Sequence, residues 1–145
     1  MSSAAGGLAS AGARMGINPG ALILEIGAGP DSDQALREEI SNLSGNPFLS
    51  EETEDVVDVA LVWFRDDGDD DPVNRIVDLL VDSMTFLVDG GAIWVLTPKV
   101  GRPGHVEPSD IQEAAPTAGL SQTSSFAAAK DWTATKFVAP KSGRR

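Results

Sequence analysis

Three apolar runs constrain the fold of this chain more than any other feature. They are ALILEI (residues 21–26), VVDVALVWF (56–64) and AIWVLT (92–97). Each run is nearly continuous, which is typical of a strand that is covered on both faces in a parallel sheet. Amphipathic segments separate the runs, and parallel strands need such helical crossovers. The sequence therefore predicts an α/β fold, built as a small three-layer sandwich with a mostly parallel sheet.

The segments between the runs carry signals that begin and end helices. Asp31 with Gln34 resembles a capping box, and Gly45 after the next apolar stripe is a typical helix stop. Asp71 followed by Pro72 predicts the start of a second helix.

The last third of the chain predicts a short helix and a hairpin. The helix is expected over about residues 109–118, strained or ended early by Pro116. SQTSSFAAA (121–129) and TATKFVA (133–139) are interpreted as two strands on either side of a turn, and hence as a C-terminal antiparallel hairpin.

Composition limits the organisation and location of the protein. Its 145 residues are 41% hydrophobic, enough for one core. We expect a single domain over 15–140, a flexible Ala/Gly/Ser-rich tail over 1–14 and a basic tail over 141–145. No apolar run approaches the ~20 residues that cross a bilayer, and no secretory signal is evident, so a cytoplasmic location is expected.

Charge and cysteine content exclude several functions. The absence of cysteine excludes thiolate catalysis and cysteine-based zinc sites. A formal net charge of −11 repels the phosphates of nucleic acids and anionic membranes, so neither is expected as a partner. The same charge favours a protein partner that carries a basic patch.

The first apolar run leads into a glycine loop, EIGAGPD (25–31). This loop, the helix into DGGAIWVLT and the closing hairpin resemble the Rossmann-like S-adenosylmethionine-dependent methyltransferases. The first loop of that class follows E/D-x-G-x-G-x-G. The resemblance makes the matching positions candidate cofactor-binding residues and implies S-adenosylmethionine as the cofactor: Glu25, Gly27, Gly29 and Asp31.

Two departures from that class argue against a working cofactor site. Asp31 replaces the last glycine, and its negative side chain obstructs a carboxylate or phosphate there. One helix takes up most of the segment between Ile26 and Val56. No length remains there for a further strand, and in that class such a strand ends in the acid that holds the ribose hydroxyls. The chain therefore resembles a reduced, methyltransferase-like Rossmann fold, in which we expect no cofactor.

A second resemblance rests on longer segments. IWVLTPKVGRPGHVEPSDIQEAAPTAGLSQTSS (93–125) and AKDWTATKFVAPK (129–141) are similar to the actinobacterial domain-of-unknown-function family numbered 3052. The resemblance covers roughly residues 15–141 and is strongest from Asp89 onward. No activity is attached to that family, so the resemblance implies no chemistry.

Polar and cationic side chains gather after the third run: Thr97, Lys99, Arg102 and His105. In an otherwise acidic chain, this is where we expect any small anion to bind. No activated nucleophile can be named beside the single histidine, so no catalytic residue is predicted. The acidic segment RDDGDDD (65–71) lacks the spacing of a calcium loop, so no metal site is predicted.

The tryptophans complete the set of candidate positions. All three tryptophans are interpreted as packing residues more than as recognition residues. Trp63 and Trp94 lie within apolar runs and are expected in the core, whereas Trp132 lies at a turn, where partial exposure would make it the better candidate for a partner contact. Together these features favour a non-catalytic protein that binds another macromolecule. The alternatives are a methyltransferase-like enzyme that binds S-adenosylmethionine or a nucleoside, and a small-anion-sensing module.

Overall fold

A mixed five-stranded sheet with helices on both faces forms the centre of the protein. The computed structural model describes residues 10–68 and 71–139. Its elements in chain order are α1 (Ala11–Arg14), β1 (Ile23–Ile26), α2 (Gln34–Ser44), β2 (Val57–Trp63), α3 (Pro72–Met84), β3 (Leu87–Pro98), α4 (Pro108–Thr117), β4 (Ser121–Ala127) and β5 (Trp132–Val138). The predicted α/β class is confirmed, and each predicted strand and helix has a counterpart.

The strand order in the sheet is β1-β2-β3-β5-β4. The first three strands are parallel, and the hairpin of β4 and β5 adds to β3 in the antiparallel sense. Ile26 pairs with Val62, and Trp63 pairs with Leu96. The carboxyl ends of the parallel strands therefore meet at one edge, where the glycine loop lies beside the residues that follow β2.

Among the described residues, a single parallel bridge occupies the outer edge of β1. Leu49 pairs with Leu24, accepts a hydrogen bond from the Glu25 amide at 2.9 Å and donates one to the Ile23 carbonyl at 2.8 Å. The short segment between α2 and β2 therefore pairs with β1 at one residue and then leaves the edge of the sheet.

The sheet separates two hydrophobic clusters. One lies between the sheet and the pair α3 and α4, and it includes Leu24, Ile76, Leu80 and Phe137. The other lies between the sheet and the pair α1 and α2, and it includes Ile40, Leu61, Trp63 and Trp94. The three layers and the core positions of Trp63 and Trp94 are therefore confirmed. Among the described residues, no helix is both long and apolar enough to span a bilayer.

Local signals set most helix ends, with one difference. Asp71 caps α3 by accepting a hydrogen bond from the Val73 amide, and Gly45 ends α2 with a φ of 79°. The cap of α2, however, is Asp33, whose side chain accepts a hydrogen bond from the Leu36 amide. The predicted capping box at Asp31 is wrong because the Asp31 side chain is bound elsewhere.

Residues 10–14 fold, although the sequence predicts a flexible tail there. The Gly12 amide donates to Glu39 Oε2 at 2.7 Å, and the Trp94 indole donates to the Met15 carbonyl at 3.0 Å. A Cβ at Gly12 would lie 2.7 Å from a methyl carbon of Leu43, so the end of that side chain would have to shift for any larger residue. The rest of the predicted tail, residues 1–9, and the basic tail at 141–145 lie outside the described residues.

Candidate functional site

The glycine loop after β1 is closed by a side chain from the neighbouring strand. Arg65 follows β2, and its Nη1 donates to the Gly27 carbonyl at 2.9 Å while its Nε donates to Asp31 Oδ2 at 2.7 Å. A Cβ at Gly29 would lie 3.4 Å from Arg65 Nη2. The guanidinium group therefore lies against the loop and bonds both its backbone and its aspartate.

Arg65 is in turn held from its other side. The Trp132 ring lies under the guanidinium, 5.2 Å from Cζ to the ring centroid, and the Trp132 indole donates to the Asp31 carbonyl at 3.2 Å. Trp132 also packs edge-on against Trp63, with 4.9 Å between centroids. Trp132 is only 3% exposed, so it is a packing residue, as the sequence favours, and not the partly exposed candidate for a partner contact. The sheet places the hairpin turn beside the glycine loop, and this position buries the Trp132 ring.

Glu25 is also bound within the chain. Its side chain is 8% exposed, and its two oxygens accept hydrogen bonds from Arg37, both at 2.6 Å. A third hydrogen bond reaches Glu25 from the Trp63 indole at 3.0 Å. The hydrogen bond to Glu25 raises the pKa of Arg37 above its ordinary value, and burial opposes this shift. Glu25 thus acts as an internal acceptor that ties β1 to α2 and β2.

Packing explains the glycine at position 27. Gly27 has a φ of 81°, and a Cβ there would collide with the carbonyl oxygen of Trp63. Asp31 is bonded to Arg65. This hydrogen bond lowers the pKa of the Asp31 carboxyl group, and burial has a smaller opposing effect. Each of the four residues predicted to bind a cofactor is thus in contact with its own chain.

The sequence did not identify Arg65 as part of this site. One signal was present: Arg65 directly follows β2, whose carboxyl end lies beside that of β1 in a parallel sheet. The direction of its side chain depends on two distant contacts, the Trp132 ring and Gly104, where a Cβ would lie 2.9 Å from Arg65 Cβ.

A separate groove, with a cavity volume of about 570 Å³, lies at the carboxyl end of β3 on the α4 side of the sheet. Three of the four predicted anion-binding residues line it: Thr97, Lys99 and His105. The fourth, Arg102, pairs with Asp131 at 3.4 Å and lines an adjacent cavity of about 150 Å³. The sequence missed the groove residues that α4 and the hairpin contribute: Ile111, Ser125, Ala127, Thr133 and Thr135.

The polar groups of this groove differ in whether they have partners. His105 Nδ1 bonds the Pro98 carbonyl at 2.9 Å, and its Nε2 lies 3.4 Å from Glu107. By contrast, the hydroxyls of Thr97 and Thr135 have no hydrogen-bond partner among residues 10–68 and 71–139. The histidine is therefore fixed in place, while the threonine hydroxyls remain available.

The acidic segment 65–71 is only partly described. The Asp66 side chain accepts from the Gly68 amide at 2.9 Å, and Asp67 pairs with Arg75 at 2.8 Å. Asp69 and Asp70 lie outside the described residues. Within the described part of the chain, no three histidine, aspartate or glutamate side chains are placed to hold a metal ion together.

Comparison with known proteins shows both a family and a fold. Residues 12–141 match the family model described as "Protein of unknown function (DUF3052)". An uncharacterized protein of Mycobacterium tuberculosis is 46% identical over 129 residues, which are 89% of this chain and 78% of the relative.

Solved structures similar to this chain include a methyltransferase from Pyrococcus furiosus, with a TM-score of 0.58 and 16% identity. The match covers 87% of this chain and 78% of that one. A TehB-like SAM-dependent methyltransferase from Corynebacterium glutamicum gives a TM-score of 0.54, 14% identity and coverage of 94% and 91%. At such low identity these likenesses show the fold alone. The predicted methyltransferase-like Rossmann fold is confirmed.

Proposed function

The chain belongs to the DUF3052 family of proteins of unknown function, and from that premise we propose that it is non-catalytic and acts by binding another macromolecule. One observation carries the non-catalytic part: Arg65 lies in the glycine loop, bonded to Gly27 and Asp31. A methyl donor would have to displace an ion pair and a stacked tryptophan before it could enter. Loss of those contacts would offset its own binding energy.

The charge of the chain supports a macromolecular partner with a basic patch. The net charge of −11 steers positively charged surfaces toward the protein during encounter. Helix α3 offers a contact of that kind, because Asp78 and Asp82 are exposed on the same stretch of helix as Val81, a residue that is 42% exposed. Two carboxylates near an exposed apolar residue fit a basic, partly apolar partner surface.

Capture from a mycobacterial extract on the immobilised protein tests this proposal. We expect a retained protein whose binding weakens with salt and is lost in the double variant Asp78→Asn, Asp82→Asn. The matched control is Glu51→Gln, Glu52→Gln, which removes the same charge from another exposed segment. Equal retention by both double variants, or no specific retention by the wild type, contradicts the proposal.

The second candidate function is a methyltransferase-like enzyme that binds S-adenosylmethionine. The fold supports it, and so does one local feature: Leu49 pairs with Leu24 beside β1, and Glu51 and Glu52 follow this bridge. A carboxylate after the strand beside β1 is what the methyltransferase class uses for the ribose. This candidate predicts a thermal shift with S-adenosylmethionine that is lost in the variant Glu51→Gln, Glu52→Gln.

A third candidate, the small-anion module, draws on the groove at the end of β3. Lys99 and Thr97 line this groove together, and neither is used by the glycine loop. Because this site is independent of that loop, it is compatible with a non-catalytic protein.

A further inference from the structure

We propose that the groove between α4 and the β4–β5 hairpin is a binding site for a small organic anion with an apolar body. The site rests on and deepens the third candidate function, the small-anion module, and it is independent of the first two because it shares no residue with the glycine loop or with the exposed face of α3. Four properties of the groove carry the inference: unpartnered hydroxyls that open onto it, an unpaired cation, an absence of carboxylates and an apolar wall.

Unpartnered hydroxyls are the first of these properties. Thr97 is 2% exposed and Thr135 is 3% exposed, and both line the cavity. Neither hydroxyl has a hydrogen-bond partner among the described residues. Neither hydroxyl oxygen is among the fully buried side-chain atoms that lack a partner in the described part of the chain, so both open onto the groove. A ligand oxygen in the groove would supply the missing partner.

The two threonines are placed together by the sheet. Thr135 pairs with Val95 across the β3–β5 ladder, two residues before Thr97, and Thr97 itself pairs with Thr133. Because side chains alternate along a strand, Thr97, Thr133 and Thr135 all point to the α4 side. Ser125, which pairs with Thr135 from β4, adds a fourth hydroxyl to the same face. The hydroxyls form a cluster on the floor of the groove.

Charge distinguishes this groove from the rest of the molecule. The chain has 22 acidic residues, yet none of the described residues that line the groove is Asp or Glu. Lys99 lines it, is half-buried and forms no ion pair with any described residue. Another large cavity, about 530 Å³ at the opposite end of the strands, is lined by Asp58 and Asp89 beside Lys136. Of these two cavities, the groove is the one suited to a negative charge.

The remaining wall of the groove is apolar. Val106 and Ile111 are nearly fully buried and face the cavity with Pro108 and Ala127. Val100 stands at the rim and is among the most exposed large apolar side chains described. A volume of about 570 Å³ lies within the range of cavities that hold drug-sized ligands. The fitting ligand carries its anionic group at Lys99 and the threonines and its apolar body along α4.

The probes that test the site are 2-naphthoate, 2-naphthyl phosphate and the neutral isostere 2-naphthamide, each at millimolar concentration with the full chain. Methyl NMR of the valine, isoleucine and threonine groups gives both location and affinity. We expect shifts at Val106, Ile111 and Thr135 with the anions. The carboxylate and phosphate arms show which anionic group the site prefers. The amide should bind about tenfold more weakly, since it lacks the charge-assisted hydrogen bond.

Three variants separate recognition from general effects. Lys99→Met keeps most of the aliphatic stem and should weaken anion binding about tenfold. Lys130→Met is the matched control, because Lys130 is exposed, forms no ion pair with a described residue and lies outside the groove, so affinity should not change. Thr135→Val keeps the shape and should weaken binding several-fold.

Three results would each overturn the site: no shift at any groove methyl with either anion, equal binding of the amide and the anions, or equal affinity of the Lys99→Met and Lys130→Met variants. The methyl spectrum of each free variant shows that it is folded. Failure of S-adenosylmethionine to bind, or of partner capture, leaves these results unaffected, because neither involves the groove.

Discussion

Arg65 and Asp31 form a two-pronged ion pair across the glycine loop. Nε of Arg65 lies 2.7 Å from Oδ2 of Asp31, and Nη2 bonds Oδ1. The pair joins the carboxyl end of β2 to the turn before α2, and so fixes the loop without a ligand. The aspartate that breaks the glycine motif is thus the residue that closes the site.

A double-mutant cycle of Arg65→Met and Asp31→Asn should show that the two residues stabilise each other. We expect a coupling of about 0.5–1 kcal/mol in the free energy of unfolding, because the pair has good geometry but is partly exposed. Chemical denaturation of the four proteins measures it. Additive effects of the two substitutions would mean that the pair does not hold the loop in solution.

Stability at acid pH should depend on Asp31. The hydrogen bond from Arg65 lowers the pKa of Asp31 in the folded protein. The ionised Asp31 therefore stabilises the fold above about pH 3.9, and this contribution is lost as the pH falls through the lower pKa of the folded state. The Asp31 side chain is 54% exposed, which limits the effect to less than about 1 kcal/mol. The wild type should lose its advantage over Asp31→Asn in acid denaturation curves below about pH 4. A constant difference down to about pH 2 would contradict this assignment.

The two loop glycines should respond differently to alanine. Gly27→Ala places a Cβ against the Trp63 carbonyl at a positive φ and should cost several kcal/mol, which thermal melting detects as a large fall in Tm. Gly29→Ala meets Arg65 and Asp31 only at 3.4 Å and should cost less than about 1 kcal/mol. Similar losses for both glycines would mean that the loop has a different conformation.

Helix α1 should contribute to stability. Removal of residues 1–14 eliminates the hydrogen bond from Gly12 to Glu39 and uncovers Leu43, whereas removal of 1–9 leaves the helix with its Ser10 cap. The longer truncation should have a Tm several degrees below that of the shorter one. Identical melting of the two truncated proteins would restore the interpretation of this segment as a tail.

Local sequence signals were enough to predict the layers of the fold. The continuous apolar runs gave the three parallel strands, and Gly45 and Asp71 marked helix ends through their own backbone and side-chain chemistry. Helix α1 was missed because its contacts are distant in sequence: the Trp94 indole bonds Met15, 79 residues away. Composition alone makes that segment look unstructured.

The two sites were predictable only in part, for the same reason. Thr97 and Lys99 follow one strand and could be grouped from sequence, but Thr135 joins them only because β5 pairs with β3. Arg65 stands at the start of an acidic run and is interpreted locally as a loop charge. Its insertion into the glycine loop depends on Trp132, which the hairpin brings over it.

Titration of the purified protein with S-adenosylmethionine, followed by thermal melting, tests the central claim most directly. A ligand at a hundred times its dissociation constant adds about 2.7 kcal/mol, which for a domain of this size raises the Tm by about 5–10 °C. With Arg65 in the loop, we predict no rise in Tm. A rise of that size, reduced by Glu51→Gln, Glu52→Gln, would contradict the account and identify a methyl-donor site.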